Sequence, residues 1–336
     1  MLNFALVGCG GMANWHANHL KNIPEVKVVA LVDPVPGQTA AFKQKYFPDA
    51  TEYDSYDKLL EKPPTKLDVV LLVTPHTFHY PQAKAALEHG INVLCEKPMV
   101  TSSEHAYDLW KTVNKSGKML GITFQAPYTP EFQYIARLRD SGKLGKIGLI
   151  NGWLAQAWAN GTFGKWRQEK KISGGGQMYD SGAHVFNGIM WIVNSPVVEV
   201  ACFYDRCGFD VDINGTAIMK FQNGTMASVC IGGLSVHWDT IIQLQTDKMI
   251  IKTAPHGGWV EVLGAGGKKL YPQIEDPEHP AHGTPHLNFV NALLGKEKLQ
   301  SPVRYGVMLS ALMDALYQSA DTNSVVQVKP VPENLS

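Results

Sequence analysis

No apolar run in this chain of 336 residues approaches the roughly 20 residues that a membrane-spanning helix needs. The N-terminal stretch "MLNFALVGCGGMANWHANHL" has neither the basic start nor the unbroken apolar core of a secretory signal, so a soluble, cytoplasmic protein is expected. Charge of neither sign is in excess: Lys plus Arg and Asp plus Glu number 30 each. Without a net field the chain is not expected to hold nucleic acid or a membrane surface, and small molecules are its expected partners. The five cysteines (Cys9, Cys95, Cys202, Cys207 and Cys230) form no CxxC pair. That excludes a zinc ribbon or a thioredoxin-like site; no metal is expected, and the cysteines read as free, buried thiols. Internal repeats are absent too, and the one biased patch, "EDPEHPAHGTPH" from Glu275 to His286, reads as a surface loop.

What is present is a chain that is 45% hydrophobic, long enough for two domains. Residues 1–124 alternate apolar runs ("NFALVG", "VKVVALVD", "KLDVVLLVTP", "INVLCEKP", "MLGITFQ") with helical patterns at Met12–Asn22, Gly37–Tyr46, Tyr80–His89 and Ser103–Lys115. That alternation predicts a doubly wound α/β domain with a parallel sheet. Residues 125–336 read as an α+β domain. A helix over Pro130–Ser141 precedes "KIGLINGWLAQAWA", and from Val197 five short runs joined by Asn-Gly, Gly-Gly and Asp-Lys turns predict antiparallel strands. Helices are expected again at Pro285–Leu294 and Arg304–Ala320.

"FALVGCGGMA" sets Gly8, Gly10 and Ala13 at the spacing G-x-G-x-x-A, directly after a strand and opening a helix. Gly8 permits a tight turn, Gly10 lets backbone approach a pyrophosphate, and Ala13 keeps helix and strand close. Gly11 and Met12 follow at the helix start, whose free N–H groups favour phosphate. The second strand ends in Asp33, twenty residues beyond Ala13, where a carboxylate accepts ribose hydroxyls and repels a 2′-phosphate. No arginine lies near it in "DPVPGQ", so NAD is expected rather than NADP.

In an open parallel sheet the ligand lies beyond the carboxyl ends of the strands. Here those ends are "TPHTFH", with Thr74, Pro75, His76 and His79, and "CEKPM", with Glu96 and Lys97. Pro98 biases Lys97 away from helix, so its amine can project into the cleft. Glu96 has two uses there, a ribose hydroxyl or the lysine itself.

G-x-G-x-x-A, T-P-x-x-x-H, E-K-P and, in "SGGGQMYDSGAH", GGG-x-x-x-D-x-G-x-H occur in this order over most of the chain. Together they resemble the Gfo/Idh/MocA family, named for glucose-fructose oxidoreductase and inositol dehydrogenases. The resemblance implies an NAD(P)-binding Rossmann domain and a C-terminal domain with a large, mostly antiparallel open-faced sheet that serves as a subunit interface. It also implies oxidation of a sugar or cyclitol, with Lys97 beside substrate and nicotinamide and with Asp180 and His184 binding and deprotonating the substrate.

On a helix, Asp180 and His184, four apart, would share one face and converge on one hydroxyl. His184 reads as the base, since imidazole titrates near neutral pH. Lys97 then stabilises the developing oxyanion or shares the proton, and Asp180 holds a second hydroxyl or orients Lys97. Gln125, Trp158, Trp166, Arg167 and Tyr179 are the expected sugar contacts, and Trp15 and His16 line the cleft opposite. His76, Pro127 and Asn187 stand where members of the family often carry Asn, Arg and Asp, so no particular substrate transfers.

Overall fold

The computed structural model describes residues 1–274 and 283–331. The first part of the chain runs β1 (Leu2–Val7), α1 (Gly11–Leu20), β2 (Val26–Val32), α2 (Gln38–Tyr46), β3 (Thr51–Tyr53), α3 (Tyr56–Glu61), β4 (Val69–Leu72), α4 (His76–Glu88), β5 (Asn92–Cys95), α5 (Ser103–Ser116) and β6 (Leu120–Ile122). All six strands are parallel, in the order β3-β2-β1-β4-β5-β6. The order reverses beside β1, so a crevice opens at the ends of β1 and β4, where Gly8 and Thr74 stand. Leu6, Leu71 and Leu94 are buried in the central strands. Each contributes roughly 1.5–3 kcal/mol and fixes the strand ends that carry the motifs.

The second part contains α6 (Pro130–Asp140), β7 (Ile147–Ala155), α7 (Trp158–Gly161), α8 (Lys170–Ser173), α9 (Gly182–Val193), β8 (Val197–Asp205), β9 (Asn214–Phe221), β10 (Met226–Gly232), β11 (Asp239–Thr246), β12 (Ile250–Thr253), β13 (Val260–Leu263) and β14 (Lys269–Leu270), then α10 (Pro285–Leu293), α11 (Val303–Thr322) and β15 (Val326–Gln327). Its nine-stranded sheet runs β14-β13-β12-β11-β7-β10-β9-β8-β15, antiparallel except where β10 pairs with β7. In β9, Ala217, Met219 and Phe221 are buried while Thr216, Ile218 and Lys220 are exposed, the period-2 pattern of a sheet covered on one side. The apolar helix α9 packs on the covered face, where Val185 and Ile189 crowd Gly152 of β7.

Four expectations change. Three-residue β3 carries no readable period, so it and α3 were not anticipated. The helix expected from Tyr80 starts at His76, because Pro75 supplies the extended residue before it. Asp180 is not on α9 but in the turn before it, its N–H bonded to Gly176 O at 3.0 Å. Of the expected loop from Glu275 to His286, residues 275–282 lie outside the described residues, but Pro285 and His286 open α10, and His286 is fully buried. α10 returns to the first sheet, its Phe289 and Val290 packing in one core with Phe4, Leu6 and Leu71.

Candidate active site

The crevice beyond β1 and β4 is a cavity of about 540 Å³ lined by Gly8, Gly10, Gly11, Met12, Asp33, Thr74 and Pro75, with Phe78, Gln82, Trp166 and Arg167 closing it. Gly8 has φ +91°, and a Cβ there would stand 2.6 Å from Val73 O, so only glycine makes this turn. At Gly10 and Gly11 a Cβ would meet nothing within 4 Å. No side chain caps α1, so its first N–H groups are open to an anion. Asp33 accepts the N–H of Cys9 at 2.8 Å and of Val35 at 2.9 Å, fixing its carboxylate at the rim.

Next to this cavity the two parts of the chain meet at one buried carboxylate. Asp180 Oδ1 accepts Lys97 Nζ at 2.7 Å, and Asp180 Oδ2 accepts Trp158 Nε1 at 2.9 Å and Arg167 Nε at 3.1 Å. Burial opposes ionisation of Asp180, but Lys97, Arg167 and His76 hold its carboxyl well below the usual carboxylate range. Lys97 also donates to Asp180 O at 3.0 Å. His76 Nδ1 lies 2.8 Å from Ser173 O, and a carbonyl only accepts, so Nδ1 carries the proton. Nε2 then presents a lone pair, 3.8 Å from Asp180 Oδ1. Burial pushes His76 down to about 3, against the pull of Asp180, so the ring is neutral.

His184 does not touch Asp180; its ring lies against His256, centroids 4.4 Å apart. Burial, His256 and Lys97 together push His184 well below its ordinary value, and burial and Lys97 push His256 down to about 4. Both rings are therefore neutral proton acceptors. His256 was missed in the sequence: "APHGGW" reads as a turn between strands, with no spacing that ties it to His184.

Residues 2–124 match the oxidoreductase family with an NAD-binding Rossmann fold, and residues 132–251 match the GFO/IDH/MocA C-terminal domain. The chain belongs to the Gfo/Idh/MocA family of NAD-binding oxidoreductases. D-glucoside 3-dehydrogenase of Escherichia coli (strain K12) is 25% identical over 97% of both chains. Inositol 2-dehydrogenase of Corynebacterium glutamicum (strain R) is 27% identical over 68% of this chain and 66% of its own. Levoglucosan dehydrogenase, solved with NADH and levoglucosan, superposes with a TM-score of 0.87 at 20% identity, over 98% of this chain and 99% of its own. The WlbA dehydrogenase of Bordetella pertussis, solved with NADH and UDP-GlcNAcA, does so with a TM-score of 0.85 at 21% identity, over 98% of each. At these identities the two structures share the fold.

The family's NAD fits the cleft seen here: two side-chain-free positions, an uncapped helix start and an acid on the wall just after β2. Gly8, Gly10, Gly11, Met12 and Asp33 would hold the dinucleotide, and Ala13, wholly buried, keeps α1 close to the sheet. Several expected contacts are placed elsewhere. His79 does not line the cleft; its ring nitrogens lie 2.8 Å from Pro98 O and 2.8 Å from Thr74 O, buckling the two motif turns together. Glu96 does not line the cleft to take a ribose hydroxyl: Oε1 lies 3.0 Å from His16, and Oε2 accepts the backbone N–H of Lys97, not its amine, at 2.8 Å. Burial alone would raise Glu96, yet His16 and Lys97 hold it down to about 2.

Tyr179 is buried with its hydroxyl donating to Val100 O at 2.7 Å, so it offers no sugar contact. Trp158 is likewise buried, its indole spent on Asp180. Trp166 and Arg167 do face the cavity, the guanidinium 4.3 Å from the indole centroid. Gln125 stands at the start of the short turn after β6. His16 lies fully buried rather than in the cleft. The glycines of "SGGGQMYDSGAH" pack against protein: Cβ atoms at Gly174, Gly175 and Gly176 would strike Thr101, Tyr317 and Asp212. Asp212 takes Gly176 N at 2.7 Å, Met178 N at 2.9 Å and Tyr317 OH at 2.6 Å, and so sets the turn that carries Asp180.

Proposed function

We propose that this protein oxidises a secondary hydroxyl of a sugar, glycoside or cyclitol to a ketone. Bound NAD supplies the hydride acceptor. The chain's own residues then have three tasks: hold the hydroxyl at the acceptor, take its proton, and stabilise the oxygen as it gains negative charge. The observation that carries the reading is the Lys97–Asp180 pair at 2.7 Å, joined through Arg167 to the wall of the dinucleotide cavity, with His184 near enough for the charges of Lys97 and Asp180 to act on it.

In this reading His184 takes the hydroxyl proton, and Lys97 donates a hydrogen bond to the same oxygen. The Asp180 oxygens already accept Lys97, Arg167 and Trp158, so Asp180 orients Lys97 rather than binding a second hydroxyl. Trp166 supplies an apolar face for the ring carbons. Glycosides come first among candidate substrates, because the glucoside dehydrogenase aligns over the whole chain and the inositol dehydrogenase over about two thirds. Incubation of NAD with glycosides, free aldoses and inositols, read by NADH absorbance and product mass, tests the reading. A cleaved or rearranged glycoside formed with neither net ketone nor net NADH would instead show a tightly held cofactor that takes the hydride and returns it within one turnover.

The exposed face of the second sheet supports a homo-oligomer. Met226 lies opposite Leu149 and Cys230 opposite Trp153, with Ile218 and Phe203 also exposed. So large an apolar patch suits burial against a second copy. Sedimentation should report a dimer or larger, and Ile218→Glu should shift it toward monomer; a wild-type monomer would contradict this. Among the described residues no helix is long and apolar enough to cross a membrane, and a cytoplasmic site, where free NAD is plentiful, is the location proposed.

A further inference from the structure

Behind the Glu96–Lys97 turn, buried titratable side chains from three separate elements form one hydrogen-bonded chain that the proposed chemistry does not use. His286 Nε2, from α10, stands 2.7 Å from His16 Nδ1, in α1. His16 Nε2 stands 3.0 Å from Glu96 Oε1 at the end of β5, and Glu96 Oε2 accepts the N–H of Lys97 at 2.8 Å. His16 and His286 are wholly buried, and none of the three lines the dinucleotide cavity.

The acceptors set the direction of the chain. Ionised Glu96 only accepts, so His16 Nε2 carries a proton. With that proton on Nε2 alone, His16 offers a lone pair at Nδ1 to the Nε2–H of His286. The lysine is thereby held at both ends, its backbone by Glu96 and its amine by Asp180. His16 also sits on the helix whose first N–H groups face the pyrophosphate position, so movement of α1 reaches the lysine through two hydrogen bonds.

We propose that His286 is a positioning residue for Lys97, acting through His16 and Glu96, and that this chain couples dinucleotide seating on α1 to placement of the lysine. The inference rests on Lys97 acting in catalysis. It gives a function to a histidine from the far end of the sequence that touches neither substrate nor cofactor.

His286→Phe fills the space without a donor, and His286→Gln keeps a donor nitrogen. In His286→Phe, kcat should fall about tenfold or more while KM for the polyol changes little. NAD should also titrate more weakly, and His286→Gln should recover most of both. Adding His286→Phe to Glu96→Gln should cost no further activity, since both act along one path. Nitrogen NMR of the protein without substrate should place the His16 proton on Nε2. Multiplicative losses in the double variant, equal losses in the Phe and Gln variants at unchanged melting temperature, or a His16 proton on Nδ1 would overturn the proposal. Turnover by Lys97→Ala would sink the role of Lys97 instead, with the NMR and NAD titration still judging the chain.

Discussion

Lys97 Nζ and Asp180 Oδ1 meet at 2.7 Å, joining the turn after β5 to the turn before α9. Neither turn alone makes a site; the pair exists only when both parts of the chain are packed. Asp180→Asn should therefore lower kcat by roughly 100-fold or more, with NAD binding retained. It should also destabilise the fold by about 3–5 kcal/mol, since Lys97 and Arg167 lose a buried partner. Turnover and urea unfolding of the purified variant check both effects; near-parent turnover would contradict the assignment.

A base must be neutral to act, and burial, His256 and Lys97 lower the pKa of His184 while Asp180 opposes them. The acid limb of kcat/KM should thus fall below the ordinary imidazole value of ~6.5. Removing His256 takes away one of the groups that lower it, so His256→Gln should move the limb to higher pH. A limb unmoved in that variant would separate His256 from the reacting group.

Stability should depend on pH through His76. Its folded pKa, about 3, lies below the value of ~6.5 expected unfolded, so the folded protein binds fewer protons between the two. Stability is therefore full above that window and is lost as pH falls through it. His76→Asn, which keeps a donor for Ser173 O, should flatten the decline in melting temperature on acidification.

Asp33 holds the glycine turn through Cys9 N and lines the cleft, where it would meet the adenosine ribose. Asp33→Ser should weaken NAD binding about tenfold and improve NADP binding by removing a like charge from the 2′-phosphate. Titration with both dinucleotides decides it, and an unchanged ratio would deny Asp33 its role in selection.

Much of this was legible from local pattern. β8 coincides with the run "VVEVACFYD", and the G-x-G-x-x-A turn, the E-K-P lip and the family all follow from short motifs in fixed order. What escaped depends on contacts between distant residues. Asp180 looked helical because four-residue spacing suits a helix, but Asp212, more than thirty positions on, ties the preceding backbone into a turn. The three glycines of the same motif admit Thr101, Tyr317 and Asp212, neighbours that no local pattern names. Glu96 and His16 looked like cleft residues, yet each is claimed from behind, and His286 seemed part of a surface loop. Local composition reports polarity; it does not report which side of a wall a polar group faces.

The most direct test is a single-turnover mixture of protein, NAD and a panel of glycosides and cyclitols, with the parent and Lys97→Ala compared at equal NAD occupancy. The parent should yield a ketone lighter than its substrate by one H₂, with matching NADH, and Lys97→Ala should bind NAD and yield neither. Ketone formation by Lys97→Ala at the parent's rate, or no ketone from any substrate by a parent that binds NAD, would contradict the account.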